Sequence, residues 1–386
     1  MSVFSLYPKS TFPVLRKLAK QSRRRTQLCH FHLSSTQGTM DLKALLSDFE
    51  KWAPINLAEK WDNVGLLIEP SGSKMVKNVL LTNDLTEEVM AEALENKTDM
   101  IFSYHPPIFA PLKRITGRAW KERIVQQCLE NRIALYSPHT AFDALEGGVA
   151  DWLLQPIGSG PISVLHQGQN PSFSGNYSHS VRVDPLPPLK ADVNTALATI
   201  MNIQGVKVHV EDSQGSVTVD CGMKALPEVI AALEKPTGMS SSMIKVFQLE
   251  KHPILGQGMG RLKALDKALT LREIVQVVKK HTGVEHLRVC VAMGKDLDCS
   301  ISSVASCAGS GTSVLKGCSA DLWLTGEMSH HDLLDVVHNG GCVILCEHSN
   351  SERNFLRDVV AGKFKGICGS LDVKISQKDR DPVMIV

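Results

Sequence analysis

Apolar positions along the chain follow two rhythms, and their order sketches a fold before any chemistry is considered. Leu42, Leu45, Leu46 and Phe49 share one face at helical spacing behind Asp41, a residue suited to cap a helix. Short apolar runs at 79–82, 100–104 and 133–137 have the length of buried strands, and helical patterns at 86–96 and 119–130 separate them. Strands alternating with helices predict βαβ units, a mainly parallel sheet and an α/β fold with helices on the sheet faces. Ahead of them, residues 61–68 predict a turn leading into another strand.

The rhythm fails between about 156 and 253, where Gly, Ser and Pro gather at 157–174 and again at 185–188. Strand-like runs at 206–210, 216–219 and 244–249 with a helical run at 227–234 predict a small α+β lobe over 157–252. That lobe is inserted into a discontinuous domain made of 40–156 and 253–386. The main pattern resumes with a helix at 271–280 and strands at 287–292 and 301–305. A glycine-rich turn at 306–313 then opens a helix. Strand 320–324, helix 329–338, strand 342–346, helix 351–362 and strand 371–375 complete the chain. Gly256, Gly258 and Gly260 mark close strand packing.

Composition narrows the class. With 386 residues, 43% hydrophobic and 21% charged, the chain can build two or three domains around a sizeable core. A net charge of +2 creates no global field for nucleic acid or an anionic membrane, so there is no direct nucleic-acid signal. No uncharged apolar run approaches the ~20 residues of a membrane span, and no membrane partner is expected. Ten cysteines without a C-x-x-C pair, most inside apolar runs, read as reduced core thiols of an intracellular, cytoplasmic protein. Residues 1–39 differ: they are basic, contain no Asp or Glu, and have the composition of a mitochondrial transit peptide. Arg23, Arg24 and Arg25 equally read as a nuclear-type basic cluster, and a second translation start at Met40 would remove the segment.

Candidate chemistry collects at strand ends. Apolar runs stop at Tyr104-His105-Pro106, at His139-Thr140 with Asp143, and at His348-Ser349 with Glu352. In the last two an acid follows the histidine by four residues, one helical turn. Repetition of this grammar suggests imidazoles and carboxylates converging on one crevice, as a metal site needs. Thr140-x-x-Asp143 and Ser349-x-x-Glu352 also fit the capping box, in which the acid satisfies a helix-terminal N–H. Gly309-x-Gly311 at a strand-to-helix turn suits an anion cradle of backbone N–H groups, without the Lys of a P-loop. His331, Asp335 and His338 share a helix face opposite Leu333, Val336 and Val337, which reads as a solvated polar face.

These residues fall into blocks that resemble the Nif-three-like family. The blocks are Trp61-Asp62-Asn63-Val64-Gly65-Leu66, Tyr104-His105-Pro106, His139-Thr140-x-x-Asp143 with Gly147-Gly148, Thr325-Gly326-Glu327 with His331, and Glu347-His348-x-x-Ser351-Glu352. They cover about 40–155 and 254–386. The resemblance implies an α/β fold, homo-oligomers that are dimers or larger and in several cases toroidal hexamers, and two metal ions in a cleft. It implies His105, Asp143, His348 and Glu352 as ligands of a zinc-, manganese- or iron-type divalent ion. His139, Glu327 and His331 would orient ligands or face the substrate, with His139 or His331 as general base. Longer relatives carry an inserted lobe of the signal-transduction ferredoxin-like kind at the same point. Where the family usually has two consecutive histidines this chain has Tyr104-His105, and a phenol of pKa ~10 is a poor ligand, so one ion is expected rather than two. Members are described as homologues of a GTP cyclohydrolase and as interactors of transcriptional regulators. The resemblance thus implies either metal-assisted hydrolysis of a nucleotide-like or phosphorylated substrate, received at Gly309 and Gly311, or a non-enzymatic adaptor for such regulators.

Overall fold

The computed structural model describes residues 38–183, 191–211, 216–237 and 243–384; the expected basic leader lies, up to residue 37, outside them. In chain order the strands are β1 (Met40–Asp41), β2 (Gly65–Ile68), β3 (Met75–Val76), β4 (Asn78–Thr82), β5 (Met100–Ser103), β6 (Ala134–Ser137), β7 (Ile162–Gln169), β8 (His179–Val183) and β9 (Val206–Glu211). They continue with β10 (Ser216–Cys221), β11 (Ile244–Gln248), β12 (Pro253–Thr270), β13 (Arg288–Cys290), β14 (Ser300–Cys307), β15 (Leu322–Thr325), β16 (Cys342–Leu345) and β17 (Asp372–Ile375). The helices are α1 (Leu42–Trp52), α2 (Glu87–Glu95), α3 (Trp120–Glu130), α4 (Thr140–Ala144), α5 (Val149–Leu154), α6 (Ala191–Met201) and α7 (Leu226–Thr237). They continue with α8 (Leu271–Thr282), α9 (Thr312–Leu315), α10 (His330–His338), α11 (Arg353–Phe355) and α12 (Ala361–Ile367).

Period-two alternation decides which side chains go where. Val79, Leu81, Met100, Phe102, Ala134 and Tyr136 turn to one face of the sheet β17-β4-β5-β6-β2, while Leu80, Ile101 and Leu135 turn to the other. The second set packs on Val89 and Met90 of α2 and Ile124 of α3. A second sheet, β13-β16-β15-β14-β12-β7, repeats the device: Leu324 and Ile344 face the shared core, and Trp323 and Val343 pack with Val336 of α10 on the far side. The shared core lies between the sheets and takes Phe49 from α1, Ile274 from α8 and Phe364 from α12. Its aromatic centre is tight, with the Phe49 and Phe364 rings 4.2 Å apart.

The first sheet is parallel except for β2, and the second keeps a parallel centre, β14-β15-β16, flanked by antiparallel β13, β12 and β7. Strand β7 falls within the segment 157–252, yet it pairs with β12 in the second sheet, so the separate sheet β11-β8-β10-β9 begins only at β8. That small sheet has its own core, in which Val181 and Val219 meet Ile200 of α6 and Val229 of α7. Buried Arg261 on β12 fastens the second sheet to the α4–α5 segment, donating to Asp151 Oδ2 at 2.9 Å and to the Leu145 carbonyl at 2.8 Å. The helix expected over 351–362 is broken instead: a 3₁₀ turn (Ser349–Ser351), α11, a π segment (Leu356–Val360) and α12 follow one another. Among the described residues no helix is long and apolar enough to cross a membrane.

Candidate metal centre

Carboxyl ends of the parallel strands of both sheets deliver polar residues to one crevice, the place where open α/β sheets bind ligands. From the first sheet, β4 leads to Asn83 and Asp84, β5 to Tyr104 and His105, and β6 to His139. From the second, β14 leads to Gly309, β15 to Glu327, and β16 to His348 and the turn carrying Glu352. Neighbouring strand ends are tied together, the Tyr104 N–H donating to the Thr82 carbonyl at 2.9 Å and the His139 N–H to the Tyr104 carbonyl at 3.2 Å.

Three of these side chains converge. His105, His348 and Glu352 each offer a ligand atom, and the three atoms lie within 4.8 Å of one another. His105 Nε2 is 3.2 Å from Glu352 Oε2, and His348 Nε2 is 3.7 Å from Glu352 Oε1. Glu352 is buried at 3% exposure, and Asn83 donates to its Oε2 at 3.2 Å. His105 Nε2 is also buried and, although within ion-pair distance of Glu352, makes no aligned hydrogen bond. A buried polar atom left unpaired costs free energy, and a cation among the three donors would remove that cost. The residues present fit such an ion.

The electrostatics point the same way. Burial alone would lower the His105 imidazole, but Glu352 and then Asp84 outweigh it and carry it to about 11. Burial alone would raise Glu352, yet His105, His348 and Asn83 together hold it below the usual carboxylate range. The space between them therefore favours positive charge, whether a proton on the ring or a cation held by all three. Asp143 behaves oppositely: burial, then the negative charge of Glu352, push its carboxyl up to about 6 against the hydrogen bond from Tyr104. Tyr104 is fully buried, and burial followed by the charges of Asp143 and Glu352 drive its phenol well above its ordinary value. It stays protonated and donates to Asp143 Oδ1 at 2.6 Å. Asp143 lines the same cleft but stands outside the three-donor cluster.

Each cleft imidazole is held from behind by a carboxylate. The Nδ1 atoms of His105, His348 and His139 lie 2.9 Å from Asp84, 2.8 Å from Glu327 and 2.8 Å from Asp62. Such pairs fix ring orientation and tautomer. Burial would raise Asp62, but hydrogen bonds from His139 and Thr140 outweigh it and pull it below the usual range, so Asp62 accepts and His139 Nδ1 donates. Asp84, Asp62 and Asn83 did not emerge as site residues from the sequence. Asn83-Asp84 does follow an apolar strand, the same grammar as the histidines, and Asp62 sits in one of the family blocks.

Backbone strain collects here too. His139 has φ 35° and ψ −119° at the turn from β6 to α4, and Glu347 has φ 66° immediately before His348. Gly309 has φ +59°, and a Cβ there would lie 2.7 Å from Glu352 Oε1 and 3.0 Å from His348 Nε2.

Several readings change on this geometry. The Gly309 N–H donates to Ser351 Oγ at 2.8 Å and the Gly311 N–H to Thr325 Oγ1 at 3.2 Å, so both amides are engaged and cradle no anion. Gly309 instead leaves room for the donors. Neither capping box forms: Thr140 Oγ1 donates to Asp62 Oδ2 at 2.5 Å, Ser349 Oγ donates to Asp381 Oδ2 at 2.7 Å, and both acids face the cleft. His331 is exposed on α10 with its ring 5.5 Å from that of His330, and it is not among the residues lining the cleft. The cleft itself has a volume of about 400 Å³ and is lined by His139, Asp143, Gly309, His348 and Glu352, among others.

Comparison with known proteins agrees with the architecture. Residues 40–382 match the family model described as Duf34/NIF3 (NGG1p interacting factor 3). The chain is 43% identical over 359 residues to NIF3-like protein 1 of Rattus norvegicus, covering 92% of this chain and 95% of that protein. It is 29% identical over 357 residues to NGG1-interacting factor 3 of Saccharomyces cerevisiae, covering 89% and 96%. Among solved structures it resembles a Bacillus cereus protein related to NIF3, with a TM-score of 0.59 and 25% identity over 90% of this chain and 99% of that one.

Proposed function

The chain belongs to the Duf34/NIF3 family, and from that premise we propose that its cleft is a metal-assisted hydrolytic centre for a nucleotide-like or phosphorylated small molecule. One observation carries the reading: ligand atoms of His105, His348 and Glu352 lie within 4.8 Å of one another, and His348 and Glu352 of the three line a ligand-sized cleft. Two imidazoles and a carboxylate suit zinc, manganese or iron. A divalent ion held there would supply Lewis-acid polarisation of a phosphoryl or carbonyl oxygen.

The chain's own residues supply the rest. Asp84 and Glu327 aim the two ligand imidazoles, and Asn83 and Gly309 position and make room for Glu352. His139, with Nδ1 committed to Asp62, presents Nε2 as a base and is the candidate for moving a proton; its ring lies 5.3 Å from that of His105. His331, away from the cleft lining, has no such role in this reading. In a screen of nucleotides and phosphoesters with zinc or manganese added, the wild type is expected to show metal-dependent release of phosphate or base. His139→Asn, chosen because Asn tolerates positive φ, is expected to lower kcat by about a hundredfold to ten-thousandfold with bound metal unchanged. Absence of metal-dependent turnover across the panel would count against hydrolysis.

A second reading, a non-enzymatic adaptor for transcriptional regulators, is supported by the name of the yeast relative and by the hydrogen bond that holds Asp143 to Tyr104. Homo-oligomerisation, which the family resemblance implies, would furnish its binding surface. A Glu352→Gln chain that still captures its protein partner would favour this reading.

A further inference from the structure

Trp61 and Phe109 expose 61% and 50% of their surface, and both line the cleft that His348 and Glu352 also line. Single exposed aromatics are ordinary on protein surfaces; these two are fixed in place. Asp62, next to Trp61, is bound to His139 and Thr140, and Asn63 donates its side-chain amide to the carbonyl of Ile108, next to Phe109. The tripeptide Trp61-Asp62-Asn63 therefore fastens one aromatic loop to the other and both to the strand end that carries His139. Ring centroids lie 6.0 Å apart for Trp61 and Phe109, 6.1 Å for Trp61 and His139, and 6.3 Å for Phe109 and His139. These pairs meet edge to face, at 63°, 79° and 80°, so a flat ligand ring would stack on one face and abut the edge of the other. From His139 the row continues to His105 at 5.3 Å and His348 at 5.2 Å. Flat rings thus lead from solvent to the candidate metal donors.

We propose that Trp61 and Phe109 form a stacking subsite for a planar heteroaromatic ring, such as a nucleobase, whose attached anionic group reaches the donors His105, His348 and Glu352. The inference rests on the metal-centre reading for the position of that anionic group. Aromatic faces accept any flat ring and gain nothing from a saturated sugar. A cleft of about 400 Å³ is of the size that holds a mononucleotide-sized ligand.

Calorimetric titration of the full chain with adenosine monophosphate and with ribose 5-phosphate tests this, because the two probes share a phosphate and differ in the ring. Adenosine monophosphate is expected to bind roughly tenfold to a hundredfold more tightly, the effect of one stacked base. Trp61→Leu, and separately Phe109→Leu, are expected to remove most of that preference while leaving ribose 5-phosphate affinity and metal content unchanged. Both side chains are half exposed or more, and thermal unfolding of the variants checks that they fold. Equal affinity for the two probes, binding of neither, or a preference that survives both substitutions would overturn the proposal. So would variants whose only change is in oligomer mass by light scattering, since the aromatics would then be a protein contact. The preference is a ratio and is read again on metal-stripped protein, so a failure of the metal reading, seen as a metal-free wild type, is distinguished from a failure of the ring subsite.

Discussion

Glu352→Gln is expected to lower the affinity for a divalent ion by more than about a hundredfold while the chain still unfolds cooperatively. The magnitude follows from position: Glu352 is the one residue of the cluster that reaches both imidazoles, with Oε2 3.2 Å from His105 and Oε1 3.7 Å from His348. Replacing a partner that merely orients a ligand costs about tenfold to a hundredfold, and loss of the charged donor itself should cost at least the upper figure. The fold should tolerate the change because glutamine keeps the volume of the side chain and an oxygen for the Asn83 amide. It also removes a negative charge that now pushes Asp143 up to about 6, where it acts after burial. Competition against a metal-chelating dye gives the affinity, and a thermal melt of the metal-free protein gives the fold.

Gly309→Ala is the second large effect, expected to destabilise the protein by about 2–5 kcal/mol and to abolish metal binding. Two costs add: roughly 1–2 kcal/mol for a side chain at positive φ, and about 1–3 kcal/mol for forcing a methyl group into a packed site. The new Cβ would meet Glu352 Oε1 at 2.7 Å and His348 Nε2 at 3.0 Å, so relief of the clash has to move the ligands. Gly317 isolates the first cost, since its φ is +85° and among the described residues nothing lies within 4 Å of the corresponding Cβ. Gly317→Ala should therefore lose about 1–2 kcal/mol in urea unfolding and keep its metal. Equal metal binding in the two variants would contradict the steric account of Gly309.

How far the site can be read from the sequence depends on the distance over which each feature is decided. Strand positions are local: the run read at 79–82 is β4 (Asn78–Thr82), and the ends of β5, β6 and β16 carry His105, His139 and His348 as the apolar alternation implies. The carboxylates that aim these imidazoles are not local, with Asp84 pairing across 21 residues and Asp62 across 77. Asp84 does close an apolar strand, but nothing within a short window says which imidazole it meets. The capping boxes fail for the same reason. Thr140-x-x-Asp143 and Ser349-x-x-Glu352 contain everything a cap needs, but Tyr104 takes Asp143, and Asn83 with His105 takes Glu352. Tertiary partners outcompete the helix N–H groups. The glycine-rich turn after β14 misleads equally, because only the fold shows that Ser351 and Thr325 already occupy its amides. Strand β7 stays hidden in a Gly-, Ser- and Pro-rich segment because its partner β12 lies more than 80 residues away, at pairs such as Val164 with Arg261.

The central claim is that His105, His348 and Glu352 hold one divalent ion. The most direct test is the metal content of the purified full chain after equilibration with zinc, manganese or iron(II) and removal of unbound ion, measured by atomic emission. About one ion per chain in the wild type and essentially none in Glu352→Gln is the predicted result. A wild type that remains metal-free, or a Glu352→Gln chain that retains the wild-type content, would contradict it.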